Sequence, residues 1–97
     1  MVKHIILWKL KEEFNTVKIK TNMKKGLEEL VGKVPGLLEM KIQTECLSTS
    51  NADVMLYSVL ESKEALKGYA CHPEHVKVAD TLVRPYTETR SCIDFEF

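Results

Sequence analysis

Residues 2–10 read VKHIILWKL, and their apolar side chains recur with period two on both sides of an extended chain. Val2, His4, Ile6, Trp8 and Leu10 share one face, while Ile5 and Leu7 occupy the other. A strand with one wet face alternates apolar with polar, so this run requires cover above and below it. Residues 54–61, VMLYSVLE, repeat the demand, with Val54, Leu56 and Leu60 opposing Met55, Tyr57 and Val59. Two such strands restrict the chain to folds in which both faces of a sheet are covered.

The intervening segments indicate what covers one face. Between Thr16 and Lys33 the period changes: Ile19, Met23, Leu27, Leu30, Val31 and Val34 recur at three and four, the stripe of an amphipathic helix. Asn15 or Thr16 supplies its N-cap, and VPG at 34–36 ends it. Lysines 18, 20, 24 and 25, followed by Glu28 and Glu29, read as a solvated helix face. LLEMKIQTECL at 37–47 alternates, with Leu38, Met40, Ile42 and Cys46 on the apolar side. STSNAD is a turn. After the strand beginning at Val54, Ser62 caps a short helix, SKEALKGYA, and a second helical piece runs from Pro73 to about Val83. Arg84–Pro85 breaks it, and the chain closes as a strand with Ile93, Phe95 and Phe97 on one face.

Strand, helix, strand, strand, helical segment, strand is the order of an α+β, ferredoxin-like β-α-β-β-α-β protomer, a four-stranded antiparallel sheet with helices on one face. The other face then carries Ile5, Leu7, Met55, Tyr57 and Val59 uncovered. An apolar area of that kind marks an interface, and a second copy packed sheet to sheet closes it as a two-fold homodimer. The whole chain, 1–97, is expected to be a single domain without repeats or linker.

Composition removes several classes of function. Fourteen basic and fourteen acidic side chains cancel, leaving no field to draw the chain to nucleic acid or anionic lipid. No apolar run approaches the ~20 residues that span a bilayer. The opening residues lack the cleavage site of a secretory signal. Cys46, Cys71 and Cys92, odd in number and without C-x-x-C, suit a reducing cytoplasm. No glycine-rich phosphate loop or nucleophile elbow is present, so no cofactor is expected.

VKHIILWKLK, VPGL, ESKEALKGYACHPEHVKVAD and the closing IDFEF together resemble the stress-responsive A/B barrel (Dabb) family of dimeric α+β barrel proteins. The resemblance covers nearly the whole chain, and it implies a ferredoxin-like protomer in a face-to-face barrel dimer. It does not imply one activity. The family includes a plant polyketide cyclase and plant stress proteins that assemble into larger rings, and it is similar in fold to cofactor-free monooxygenases. The cyclase's general-base histidine and its oxyanion-holding tyrosine fall on His75 and Tyr69. Two further pocket histidines correspond to His4, which is present, and to Val54, which departs from the pattern.

The residues themselves allow this chemistry. Pro73 fits the first turn of a helix, placing His72 near the N-cap and His75 in the first turn. The positive end of a helix disfavours imidazolium, leaving His75 neutral as a base requires. Tyr69 offers an O–H to an enolate or carbonyl oxygen. His4 is a candidate to contact a polar ligand group, beside walls from Ile6, Trp8, Val54 and Leu56, and His72 is a further ligand candidate. Each also has a plain reading: Tyr69 as core, His72 and His75 as caps or hydrogen-bond partners, His4 as a hydrogen-bonded strand histidine. A zinc site needs three or four ligands, and beyond His72, Glu74 and His75 the only further histidine is His4, so no metal is expected. Cys71 reads as a small buried hydrophobe. Three functions stay open: a dimeric module binding a small apolar or aromatic molecule, a cofactor-free enzyme of the cyclase or monooxygenase kind, and a stress-protective structural oligomer.

Overall fold

Two hydroxyls and a proline start the helices. Thr16 accepts a hydrogen bond from the Ile19 amide at 3.3 Å, and Ser62 accepts one from Ala65 at 3.1 Å. Pro73 opens the third helix behind His72, whose Nδ1 accepts from the Glu74 amide at 3.1 Å. In the computed structural model, which describes residues 1–97, the elements run β1 (Val2–Leu10), α1 (Val17–Glu28), β2 (Leu37–Gln43), β3 (Val54–Leu60), α2 (Lys63–Cys71), α3 (Pro73–Val78) and β4 (Thr87–Glu96). A wide π-type turn, Ala79–Val83, and a tight one, Arg84–Tyr86, join α3 to β4. The strands form one antiparallel sheet in the order β2-β3-β1-β4, with the helices on one side: the α+β, ferredoxin-like protomer.

Strand register sets the core. His4 faces Ser58, Ile6 faces Leu56 and Trp8 faces Val54 across the β1–β3 ladder. With Met23 and Leu27 from α1 and Met40 and Ile42 from β2 they lie buried beneath the helices. Ser58, fully buried, donates to the His4 carbonyl at 2.8 Å, and that bond offsets the cost of removing its hydroxyl from water. Gly36, at φ 81°, accepts from the Glu61 amide at 2.9 Å and lies flush against Ala65 of α2.

Several local expectations are corrected. The first helix stops at Glu28 rather than Lys33, because residues 29–33 unwind into turns with Gly32 at φ 92°. Val31 is consequently exposed, while Val34 still reaches the core. An irregularity in β2 between Leu37 and Glu39 shifts the alternation, so Leu37 is buried with Met40 and Leu38 faces solvent. The strand ends at Gln43, which leaves Cys46 exposed in the following loop. Cys71 is exposed at the end of α2 rather than buried. The face of α1 read as solvated makes one specific dock. Glu28 accepts from the Ile42 amide at 2.9 Å, and Lys24 donates to the Ile42 carbonyl at 3.0 Å. These two side chains satisfy the open edge of β2.

On the face away from the helices lie Ile5, Leu7, Met55, Tyr57 and Val59, although Val59 is already buried within the protomer rather than left uncovered. Register adds Ile93, directly opposite Ile5, and Phe95, opposite Lys3. Leu7, Ile93, Phe95 and Phe97 are between 41% and 59% exposed in the protomer. The Lys3 ammonium lies over two rings of this face, 4.7 Å from Phe97 and 5.6 Å from Tyr57.

Candidate functional site

The helical layer packs chiefly on β1, β2 and β3, and touches the end of β4 through α2, whose Lys63 pairs with Glu96 at 3.4 Å. The inward positions of β4 are Arg90, Cys92 and Asp94, paired with Trp8, Ile6 and His4 of β1. None of the three is a core residue, and a cavity of about 410 Å³ opens beside Arg90, roofed by α2, α3 and the π-type turn. Its walls include Ile6, Trp8, Leu27 and Leu56, with Tyr69 and His75 from the helical side and His4 from β1.

Tyr69, His75 and His4 form one contiguous group. The Tyr69 and His75 rings pack 4.1 Å apart between centroids, and the His4 ring meets Tyr69 edge-on at 5.9 Å. Burial pushes the Tyr69 phenol well above its ordinary value, opposed by the charge of Arg90. Its hydroxyl is buried and has no hydrogen-bond partner, the one such side-chain atom in the protein. His75 Nδ1 faces the Ala70 carbonyl at 3.4 Å. A proton held there leaves the lone pair of the neutral ring on Nε2. Burial lowers the His75 pKa, and the charges of Arg84 and His4 act in the same direction against partial compensation from backbone carbonyls. Burial is thus the largest of these influences toward a neutral ring.

His4 hydrogen-bonds through Nδ1 to a carboxylate oxygen of Asp94. Cys92 Sγ lies 3.7 Å from that nitrogen and 3.5 Å from that oxygen. Burial raises the Cys92 pKa, and the Asp94 charge adds to the effect. Donor atoms of His4, Cys92 and Asp94 all lie within 4.8 Å of one another, which makes them the residues able to hold a divalent ion. The sequence reading missed Cys92 and Asp94 as neighbours of His4, because only the pairing of first strand with last brings them together. Their period-two spacing with Arg90 was the available signal.

The remaining candidates divide. Ile6, Trp8 and Leu56 lie on the cavity wall. Val54 is buried opposite Trp8 and does not line this cavity. His72 caps α3 and borders a separate hollow near Pro35 and Gly36. Arg84 and Arg90, also on the walls, were not anticipated.

Comparison with known proteins agrees with this architecture. Residues 2–97 match the stress responsive A/B barrel domain. A stress-response A/B barrel domain-containing protein of Arabidopsis thaliana is 32% identical over 96 residues, 98% of this chain. The chain spans 36% of that relative's length. A Bacteroides fragilis structure, described as a dimeric protein of unknown function with a ferredoxin-like fold, superposes with a TM-score of 0.90 at 29% identity, covering 99% of this chain and 95% of that one. A hydroxynitrile lyase from Passiflora edulis superposes with a TM-score of 0.81 at 16% identity over 97% of this chain and 90% of its own, a likeness of fold. From the split β-α-β topology and a match over residues 2–97, the chain belongs to the stress-responsive A/B barrel family.

Proposed function

We propose that the chain forms a homodimer through the outer sheet face and that each protomer binds a small apolar or aromatic molecule between sheet and helices. The observation that carries the binding half is the cavity of about 410 Å³, within the ~300–1,000 Å³ typical of small-molecule sites. Aliphatic and indole walls suit a ring or short chain, and His4, Tyr69 and His75 provide the few polar groups that orient one. The dimer rests on Leu7, Ile93 and Phe95, large apolar groups clustered on one face of a small protein. The dimeric description of the Bacteroides fragilis protein supports it.

Light scattering of the wild type and of a Leu7→Glu/Ile93→Glu double variant tests the dimer. A monomeric wild type would end this reading, and a dimer dissociated by the double variant supports it. For the cavity, we expect small phenols to raise the melting temperature and to shift NMR resonances of His4 and His75. A wild type indifferent to a broad panel of rings would remove the binding reading.

A second reading, cofactor-free catalysis, is favoured by the stacked pair of Tyr69 and His75. In it, His75 Nε2 takes a proton from carbon next to a carbonyl. The C–H electron pair passes into the enolate, whose oxygen accepts the Tyr69 O–H. Deuterium exchange into small aromatic ketones, followed by NMR, is the assay. Acceleration by wild type and its loss in His75→Ala support the base role; equal rates in the two proteins dismiss it.

A further inference from the structure

The charged groups around the cavity are of one sign. Its walls contain Arg84 and Arg90 as well as His4 and His75, and no aspartate or glutamate. Of the three acids nearest in the chain, Glu88 is exposed and off the cavity wall, and the other two are already engaged. Asp80 pairs with Arg84 one helical turn away, and Asp94 pairs with His4. Arg90 makes no ion pair. It projects from the inward face of β4, opposite Trp8, beside Cys92, and its charge reaches Tyr69. In a chain whose fourteen basic and fourteen acidic residues balance overall, this hollow has a local excess of positive charge.

We propose that the molecule taken by the cavity is a carboxylate, a small acid whose apolar body lies on Ile6 and Trp8 and whose carboxylate is gripped by Arg90. The inference deepens the binding reading above and rests on it. A guanidinium presents two parallel N–H groups that match a carboxylate's two oxygens, a fit that an ammonium lacks. Concave, partly apolar walls strengthen such a pair relative to bulk water. The charge count favours a monoanion over a phosphate ester. Of the cations on its walls only Arg90 lacks an ion pair, and His75 is biased toward its neutral form. The unpartnered Tyr69 hydroxyl would give the same ligand a hydrogen-bond donor, which accounts for a buried donor with nothing to bond in the free protein.

The test is a set of matched pairs: benzoate with benzamide, 3-phenylpropanoate with 3-phenylpropanamide, and hexanoate with hexanamide. Each is titrated by NMR into wild type, Arg90→Met and Arg90→Lys. Methionine keeps an apolar stem without charge; lysine keeps charge without the fork. We expect each acid to bind wild type about tenfold or more tightly than its amide, as a charge-assisted hydrogen bond implies. The preference should fall to within about threefold in Arg90→Met and recover partly in Arg90→Lys, and it should weaken as salt is raised. Acids and amides binding equally well would overturn the carboxylate inference and leave the cavity reading standing. An acid preference that persists in Arg90→Met would overturn the role of Arg90 and show that another group holds the anion. If neither member of any pair binds, the cavity reading fails and takes this inference with it.

Discussion

Replacing Tyr69 with phenylalanine should make the unliganded protein more stable while weakening its site. The Tyr69 side chain is 2% exposed, and its hydroxyl has lost contact with water without gaining any hydrogen bond. A buried polar group in that condition costs roughly 1–3 kcal/mol. Phenylalanine removes the group and retains the ring that packs 4.1 Å from His75. Part of the gain is offset, because the missing oxygen leaves a small void and forfeits its dispersion contacts. A net stabilisation of about 1 kcal/mol follows, and in a domain of this size that raises the melting temperature by ~4–8 °C. Urea unfolding of both proteins at one matched protein concentration would measure it, since oligomerisation makes stability concentration-dependent. The midpoint should rise with the slope unchanged. Tyr69→Phe destabilised by about 1 kcal/mol or more would show that the hydroxyl is bonded in the folded protein, and the reasoning would fail. The same variant should bind phenols and small acids more weakly than wild type, so that stability and affinity move in opposite directions.

Other outcomes follow from the same geometry. His75 titrates below its unfolded value, so the unfolded chain binds more protons between the two pKa values and stability rises with pH through that window. Urea midpoints should therefore fall as pH drops below ~6.5, the ordinary histidine value, and His75→Gln should flatten that dependence. Gly36→Ala places a methyl 2.6 Å from the Ala65 Cβ at a φ of 81°. Left-handed strain and overpacking together should cost roughly 2–4 kcal/mol, read by thermal or urea unfolding. Glu28→Ala removes the acceptor of the Ile42 amide and the partner of Lys24. We expect a loss of about 1–2 kcal/mol and faster amide exchange at Ile42, measured by NMR.

Local pattern determined a great deal here. Period two with apolar residues on both faces made β1 and β3 recognisable and required cover on both sides of the sheet. Thr16, Ser62 and Pro73 announced their helices because caps and first turns depend on a few adjacent atoms. His75 and Tyr69 were singled out as a pair by the family resemblance, and they sit six residues apart across one helix junction. The end of α1 and the face of Leu38 were misread, because a glycine turn and an irregular ladder shift a period without changing composition.

What the sequence left undecided was the far wall of the cavity. Arg90 reaches the hollow, and Cys92 and Asp94 meet His4 just outside its wall, only when β4 pairs with β1. Even the downward shift of the His75 pKa owes most to burial, which residues distant in the chain supply. Periodicity and capping are local properties, carried by neighbours within a few residues. A cavity is the space left between elements, and its size, charge and unpaired groups exist only once sheet and helices have packed.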